Sequence, residues 1–183
     1  MRIVGIKIHR LSLAEALDFY GPVEAMLKQK LASVYSRKAR ELLEKEFKFT
    51  FSDEIDNILT GSIGVECAKN EFDNIVGFMS GKRPGCYTVE EMQKPGNVKC
   101  MILIYEGENA VNRIRDVLGS TDPSQARDGT VRREFGSNVM VNTAHASDSQ
   151  ESFDREKNIV RISHNSVVSI IREHLTKSNF PEQ

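Results

Sequence analysis

The sequence predicts an α+β fold, with strands at the start and in the middle of the chain and helices between and after them. Residues 2–9 alternate Ile and Val with polar residues from Val4 onward, which is typical of a half-buried strand. Residues 99–105 are nearly all apolar, which predicts a strand buried on both faces. Elsewhere apolar residues recur at helical spacing, so helices are expected to supply the rest of the core.

The composition is that of a soluble globular protein of a size suited to one domain. The chain has 183 residues, and its 25 Lys and Arg nearly balance its 26 Asp and Glu. This balance argues against bulk attraction to nucleic acid or to a membrane surface. Three cysteines without C-x-x-C spacing suggest neither a disulfide framework nor a zinc site, and they fit a reducing cytoplasm. The sequence shows neither a signal-peptide pattern nor an apolar run that could span a bilayer.

The segment between the two strands is predicted to be mostly helical. Ser12 and Glu15 have capping-box spacing, which starts a first helix. Gly21 and Pro22 are expected to break that helix, and Pro22 suits the first turn of a longer, solvated amphipathic helix. Residues 81–97 contain two Pro-Gly pairs and are typical of a long surface loop. The helices predicted in this segment are 12–20, 22–47, 52–61 and 69–80.

The second half of the chain is predicted to alternate short elements with turns. Gly119 stands where a helix commonly ends in a left-handed residue. The elements predicted after the strand at 99–105 are a helix at 110–118, an irregular loop at 120–135, a short strand at 139–141, and helices at about 148–157 and at 165–175.

A histidine in the second half precedes a predicted helix start. Ser147 and Gln150 have capping-box spacing, so the helix is expected to begin at Ser147 or Asp148. His145 would then lie beside a helix N-terminus, where backbone N–H groups and the helix dipole favour an anion. These residues alone fit two interpretations, a nucleophile toward phosphate and an ordinary surface histidine beside an ordinary cap.

Five short motifs follow one another between residues 99 and 160. They are Tyr105-Glu106-Gly107-Glu108-Asn109; Arg115 through Gly119 with Thr121 and Pro123; Gly129-Thr130-Val131-Arg132; Asn142 through Ser149; and Glu156. Their order and spacing resemble those of the nucleoside diphosphate kinase family. The family pattern reads aromatic-E-G-x-N, R-x-x-x-G-x-T-x-P, G-T-x-R, N-x-x-H-G-S-D-S and a later Glu. Residues 2–20 also resemble the family's second strand and the helix after it.

The resemblance implies a fold, an activity and a set of reacting residues. The fold would be α+β of the ferredoxin-like type, an antiparallel sheet flanked by helices, with a helical insertion. Such enzymes move the γ-phosphoryl of a nucleoside triphosphate onto a histidine and then onto a nucleoside diphosphate. Carried over, His145 is the phospho-acceptor, Glu156 is the carboxylate that fixes its tautomer, and Ser147 and Tyr20 hydrogen-bond near the reacting groups.

The resemblance also implies how the nucleotide is held. Arg115, Thr121 and Arg132 match the phosphate ligands of the family. Asn142 matches the residue that contacts ribose hydroxyls, and Val139 matches one side of the base slot. ATP would be the phosphoryl donor, and Mg²⁺ would arrive bound to nucleotide phosphates rather than in a protein cage.

The sequence departs from the family pattern in several places. The family begins with a strand carrying Lys-Pro-Asp, a triplet that does not occur here. The chain would therefore be either a fragment of a longer protein or one that lacks this strand. Residues 22–70 and 81–97 are predicted insertions within a single domain spanning 1–183. Either Phe72 or Glu71 stands at the base-stacking position, and Ala146 replaces the usual Gly after the histidine.

Two kinds of function follow from these observations. The leading hypothesis is a cytoplasmic nucleoside diphosphate kinase acting on nucleoside di- and triphosphates, without nucleic-acid or membrane partners. The resemblance implies a homo-oligomer built from dimers, a tetramer or a hexamer, with strand 2–9 at the dimer contact. The alternative is a non-catalytic nucleotide-binding or assembly module of the same fold, or an inactive fragment lacking the first strand. An unrelated regulatory domain is a third, weaker interpretation.

Overall fold

The computed structural model of the chain describes residues 1–163. The helix predicted at 165–175 lies outside these residues, as do His164 and His174. In chain order the elements are β1 (Arg2–His9), α1 (Leu13–Phe47), α2 (Glu54–Leu59), a π-helical turn (Thr60–Gly64), α3 (Val65–Ser80), α4 (Val89–Gln93), β2 (Cys100–Glu106), α5 (Ala110–Leu118), a 3₁₀ turn (Pro123–Gln125), α6 (Val131–Phe135) and α7 (Gln150–Ile159).

Contacts divide the chain into two compact units. Among the described residues, one unit, the sheet unit, comprises 1–9 and 99–163, and the other, the helical unit, comprises Arg10–Val98. The single domain and the insertion boundaries expected from the sequence stay predictions. Within residues 1–163, no helix combines the length and the apolar character that crossing a lipid bilayer requires.

The sheet unit contains an antiparallel pair of strands, and this confirms the predicted α+β class. Strand β1 pairs with β2 so that Ile8 stands opposite Met101 and Ile6 opposite Leu103. The strand predicted at 99–105 was expected to be buried on both faces, and this was wrong. Ile104 is 3% exposed, whereas Met101 and Ile8 are 60% and 64% exposed. Since directly opposite residues share a face, Ile8 and Met101 mark one face of the sheet as the more exposed, and Ile104 lies on the other.

Helix α7 is joined to β1 at its C-terminal end. The Lys7 ammonium donates to the carbonyl of Val160 at 2.6 Å and reaches the carbonyl of Arg161 at 3.4 Å. The last carbonyls of a helix lack intrahelical donors and carry partial negative charge, so a lysine there is favourable. Gly5 brings the strand backbone close to the carbonyl of Ser163. These contacts fix α7, the helix that carries Glu156, to the sheet.

The helical unit is dominated by α1, which is one helix rather than two. Its capping box is present as predicted. The Ser12 hydroxyl accepts from the backbone N–H of Glu15, and the Glu15 carboxylate accepts from the backbone N–H of Ser12. The predicted break at Gly21 and Pro22 was wrong, because the helix continues through both. A proline removes one intrahelical hydrogen bond, whereas packing along a long helix stabilises many residues. Buried Ala32 and Ser36 show that α1 is packed well past the proline.

The remaining helices of this unit run further than predicted. Helix α2 continues through the π-helical turn into α3, so the predicted end near Gly61 and the start at residue 69 were wrong. The predicted loop at 81–97 contains the short helix α4, which has its own capping box between Thr88 and Glu91. Phe72 is 4% exposed in the core of this unit, and Glu71 accepts a hydrogen bond from Tyr35.

Two predicted elements of the sheet unit also differ from the structure. The loop predicted at 120–135 contains the 3₁₀ turn and α6. The strand predicted at 139–141 is instead a turn. Its cause is Asn138, whose side-chain oxygen accepts from the N–H groups of Met140 and Val141, both at 2.9 Å. Such local side-chain bonds compete with strand pairing.

The glycines of the π-helical turn give a matched stability test. A Cβ on Gly64 would lie 2.3 Å from the carbonyl oxygen of Ala32 in α1, while one on Gly61 would meet nothing within 4 Å. We expect Gly64→Ala to lower the free energy of unfolding by about 1–3 kcal/mol through overpacking. Gly61→Ala should be neutral or stabilise by up to about 1 kcal/mol through helix propensity. Urea unfolding followed by circular dichroism measures both, and equal effects would contradict the close approach.

Candidate functional site

The segment around His145 has no regular secondary structure, so side-chain contacts must define its shape. Ala144 donates its N–H to the carbonyl of Asn142 at 3.0 Å, and Thr143 between them has φ 78°. This is the pattern of a classic γ-turn, which is rare and strained. A β-branched residue in the left-handed region costs about 1–3 kcal/mol, which the surrounding structure must offset. His145 therefore follows a turn that only tertiary contacts can hold.

The His145 ring contacts a buried carboxylate. Its Nε2 lies 3.1 Å from Oε2 of Glu156, and the Ser147 hydroxyl donates to the same oxygen at 2.6 Å. Glu156 is 8% exposed, whereas the His145 side chain is 41% exposed. A carboxylate acceptor favours the tautomer with hydrogen on Nε2, so the lone pair of the neutral ring is on Nδ1. The arrangement is an exposed imidazole oriented by a buried acid.

The second oxygen of Glu156 also has a donor. Arg155 places an NH2 group 3.3 Å from Oε1. Both carboxylate oxygens are therefore engaged, which a buried acid requires. Sequence reasoning missed Arg155, because successive residues on a helix point about 100° apart and their spacing gives no signal of contact.

Helix α7 starts later than the sequence predicted. Its N-cap is Ser149, whose hydroxyl accepts from the N–H of Ser152 at 3.0 Å. The predicted start at Ser147 or Asp148 was wrong because the Ser147 hydroxyl bonds to Glu156 instead of capping the helix. A capping box read from spacing assumes that the hydroxyl is not used elsewhere.

Arg132 is buried against the backbone before His145. It is 8% exposed, and its Nε and NH2 donate to the carbonyl of Ala144 at 3.2 and 2.8 Å. Its NH1 donates to the carbonyl of Gly119, at the end of α5, at 2.9 Å. Burial lowers the pKa of Arg132 from its usual value, and the nearby charge of Arg115 lowers it further. An arginine nevertheless stays charged at neutral pH, so the site is locally positive.

Arg115 approaches the same segment from α5, with its residue exposed. Its NH1 lies 3.4 Å from the carbonyl of Ala146, the residue after the histidine. Arg115 and Arg132 thus contact the backbone on either side of His145. Two guanidinium groups beside an imidazole favour a bound anion such as phosphate.

The other predicted site residues lie in different places. Asn142 donates its side-chain amide to the carbonyl of Val139 at 2.9 Å, which brings these two together. The Val139 residue is 57% exposed, and Thr121 is exposed just before the 3₁₀ turn. Tyr20 belongs to the helical unit, where it is 8% exposed and packs against Phe19 with ring centroids 5.0 Å apart. Their roles stay predictions.

The described residues offer no preformed metal cage. Among residues 1–163, no three His, Cys, Asp or Glu side chains are grouped so that they could hold a metal ion. The donor chemistry near His145 is cationic and hydroxylic instead, which suits phosphate oxygens.

In comparisons with known proteins, the second half of the chain matches proteins of one family. Residues 85–165 match the sequence model of a family described as nucleoside diphosphate kinase. A nucleoside diphosphate kinase of Persephonella marina is 50% identical over 50 residues, which are 27% of this chain and 36% of that protein. Nucleoside diphosphate kinase 2 of Protochlamydia amoebophila is 34% identical over 96 residues, 52% of this chain and 56% of that protein. The chain thus spans between 36% and 56% of these relatives.

A solved structure extends the likeness to the fold. The NDP kinase of Pyrobaculum aerophilum superposes with a TM-score of 0.53 and 23% identity, covering 86% of this chain and 78% of that one. At this identity the likeness concerns the fold alone.

The carboxyl of Asp148 gives a test of the local electrostatics. Its pKa lies below the ordinary value because the Ser152 hydroxyl donates to it and, to a lesser extent, because Arg115 and His145 lie nearby. The stability that Asp148 contributes is therefore present above its unfolded pKa and lost as pH falls through its folded pKa. We expect Ser152→Ala to raise the Asp148 pKa, measured by NMR titration. Ser124→Ala, which removes the similar bond to Asp122, should leave it unchanged, and an unaltered Asp148 pKa in Ser152→Ala would contradict the assignment.

Proposed function

We propose that the protein transfers the γ-phosphoryl of a nucleoside triphosphate to a nucleoside diphosphate, which the match of residues 85–165 to the nucleoside diphosphate kinase model supports. The observation that carries the proposal is the contact between His145 Nε2 and Glu156 Oε2 at 3.1 Å. It orients the imidazole in a segment that Arg115 and Arg132 both contact, and phosphoryl transfer to a histidine requires an oriented ring with positive charge nearby.

The proposed reaction has two steps on the same ring. In the first, Nδ1 of His145 attacks the γ-phosphorus, the bond to the bridging oxygen breaks, and the nucleoside diphosphate leaves with that oxygen. In the second, a β-phosphate oxygen of another nucleoside diphosphate attacks the phosphohistidine, and the N–P electron pair returns to Nδ1. The positive charge that the ring gains on phosphorylation is balanced by Glu156 through Nε2–H. Ser147 keeps the carboxylate in place with its bond of 2.6 Å.

The remaining residues are assigned to nucleotide binding. Arg115, Arg132 and Thr121 are proposed phosphate ligands, and the exposed Arg115 guanidinium beside Ala146 supports this for Arg115. Asn142 is proposed to contact ribose hydroxyls and Val139 the base, which their mutual contact supports. The role of Tyr20, which belongs to the helical unit, stays a prediction.

Mg²⁺ is proposed to enter with the nucleotide. Bound to the phosphates, it would neutralise part of their charge. The side chains present fit this mode, since the arginines and hydroxyls near His145 suit phosphate oxygens and would leave the metal to the nucleotide.

The broader properties follow from the family. We propose the ferredoxin-like arrangement of sheet and helices, a homo-oligomer built from dimers, and a cytoplasmic location. The antiparallel pairing of β1 with β2 and the superposition with an NDP kinase support the first. The three free cysteines, Cys67, Cys86 and Cys100, fit a reducing compartment.

Phosphorylation of the protein tests the proposed function. After incubation with γ-labelled ATP and Mg²⁺, we expect acid-labile, base-stable label that a nucleoside diphosphate removes. His145→Ala should abolish the label, while His9→Asn, a histidine without an assigned role, should keep it. Nucleotide binding without any label on the wild type would instead identify a non-catalytic nucleotide-binding module.

The histidine–carboxylate pair makes a kinetic prediction. We expect Glu156→Gln to lower the rate of phosphorylation at saturating ATP about 10²–10³-fold, because orientation and charge compensation at Nε2 are lost. Ser147→Ala should lower it about tenfold, since it removes one hydrogen bond to a buried carboxylate. Rapid-quench kinetics measure the rates, and equilibrium titration should show ATP affinity within about threefold of wild type. Unchanged rates in both variants would contradict the role of the pair.

A further inference from the structure

We infer that Arg132 is a positioning residue, which holds the strained turn before His145 so that the ring meets Glu156. This role rests on the proposed function and adds to it, since a phosphate ligand would act only once nucleotide is bound. Positioning would act in the nucleotide-free protein as well.

The first support for this role is the set of hydrogen bonds that the Arg132 guanidinium donates. Three hydrogen bonds of 2.8 to 3.2 Å run from Arg132 to two backbone carbonyls, those of Ala144 and Gly119. Two of them converge on Ala144, the residue directly before the histidine. A pair of bonds from one planar group fixes the direction as well as the distance of its acceptor.

The second support is what those bonds hold in place. The turn at Asn142, Thr143 and Ala144 has a positive φ at Thr143 and lies outside any helix or strand. Such a conformation persists only where surrounding contacts determine it. Because Arg132 binds the carbonyl of Ala144, loss of its side chain would release the turn and the ring that follows it.

The third support is the rigidity of the other anchor. Gly119 has φ 82°, and a Cβ there would lie 2.4 Å from Oγ1 of Thr130, the N-cap of α6. Thr130 is 3% exposed and its hydroxyl bonds to the carbonyl of Arg127 at 2.6 Å. The end of α5 and the start of α6 are therefore packed tightly together, and Arg132 extends from this junction to the histidine segment.

Arg115 differs from Arg132 in exposure and in its contacts. It is exposed and makes one long contact of 3.4 Å with the histidine segment, so its guanidinium is available to an incoming phosphate. Substitutions at the two arginines should therefore have different effects. Removal of Arg115 should weaken nucleotide binding, and removal of Arg132 should disturb His145 before nucleotide is added.

The experiment compares four variants of the full chain in two measurements. The variants are Arg132→Met, Arg132→Lys, Arg115→Met and Arg133→Met, the last being a neighbour in α6 whose side chain is 43% exposed. The first measurement is the ¹⁵N spectrum of the His145 imidazole in nucleotide-free protein, which reports its tautomer and its bond to Glu156. The second separates ATP affinity from the phosphorylation rate at saturating ATP.

For Arg132→Met we expect altered His145 imidazole signals without nucleotide and a phosphorylation rate about 100-fold lower. Arg132→Lys should change both in the same direction but less, because it keeps the charge and loses the paired bonds. If Arg132→Met does not fold, the same two measurements on Arg132→Lys test the inference. Arg115→Met should leave the nucleotide-free signals unchanged and weaken ATP binding about tenfold or more, and Arg133→Met should match wild type.

The inference is overturned if the folded Arg132 variants keep the wild-type His145 signals and lose only ATP affinity, since Arg132 would then be a phosphate ligand alone. The two proposals also fail separately. A wild type that never takes up label would defeat the proposed function, while the nucleotide-free spectra would still show whether Arg132 positions the ring.

Discussion

The site depends on one hydrogen bond, between Nε2 of His145 and the buried carboxylate of Glu156. A charged group that is 8% exposed is tolerated only when its oxygens have donors, and Ser147 and Arg155 supply the others. Glu156 in turn needs a fixed helix, and the contact from Lys7 to the end of α7 attaches that helix to the sheet. Strand, helix, acid and imidazole thus form one chain of contacts, in which the exposed ring is the last member.

The histidine segment shows how such a site combines rigidity with strain. Its γ-turn at Thr143 is unfavourable by itself, so it must be held by neighbours, and Arg132 supplies two hydrogen bonds to it. Burying that guanidinium has a cost, which appears as its lowered pKa. Hydrogen bonds to the surrounding carbonyls offset this cost. Because no carboxylate is among the described hydrogen-bond partners of Arg132, its positive charge is not neutralised there and favours an anion near His145.

Much of this arrangement could be predicted from the sequence, and the failures have physical causes. Alternating Ile and Val identified β1, and Gly119 marked the end of α5, because both signals are local. The order of the motifs brought His145, Ser147 and Glu156 into one hypothesis, and the structure places these three in contact. Spacing could not show that Ser147 prefers the carboxylate to the helix cap, or that α1 continues through Pro22, since both depend on tertiary packing. The carbonyl contacts of Arg132 have no sequence signal at all.

The most direct test of the account is to determine which ring nitrogen of His145 carries phosphate. Because Glu156 binds Nε2, the account requires the phosphoryl group to be on Nδ1. ¹⁵N and ³¹P NMR of protein phosphorylated with ATP and Mg²⁺ distinguish the two isomers. Phosphate on Nδ1 of His145 is the predicted result. Phosphate on Nε2, or on another residue, would contradict it, since the contact with Glu156 would then not define the nucleophile.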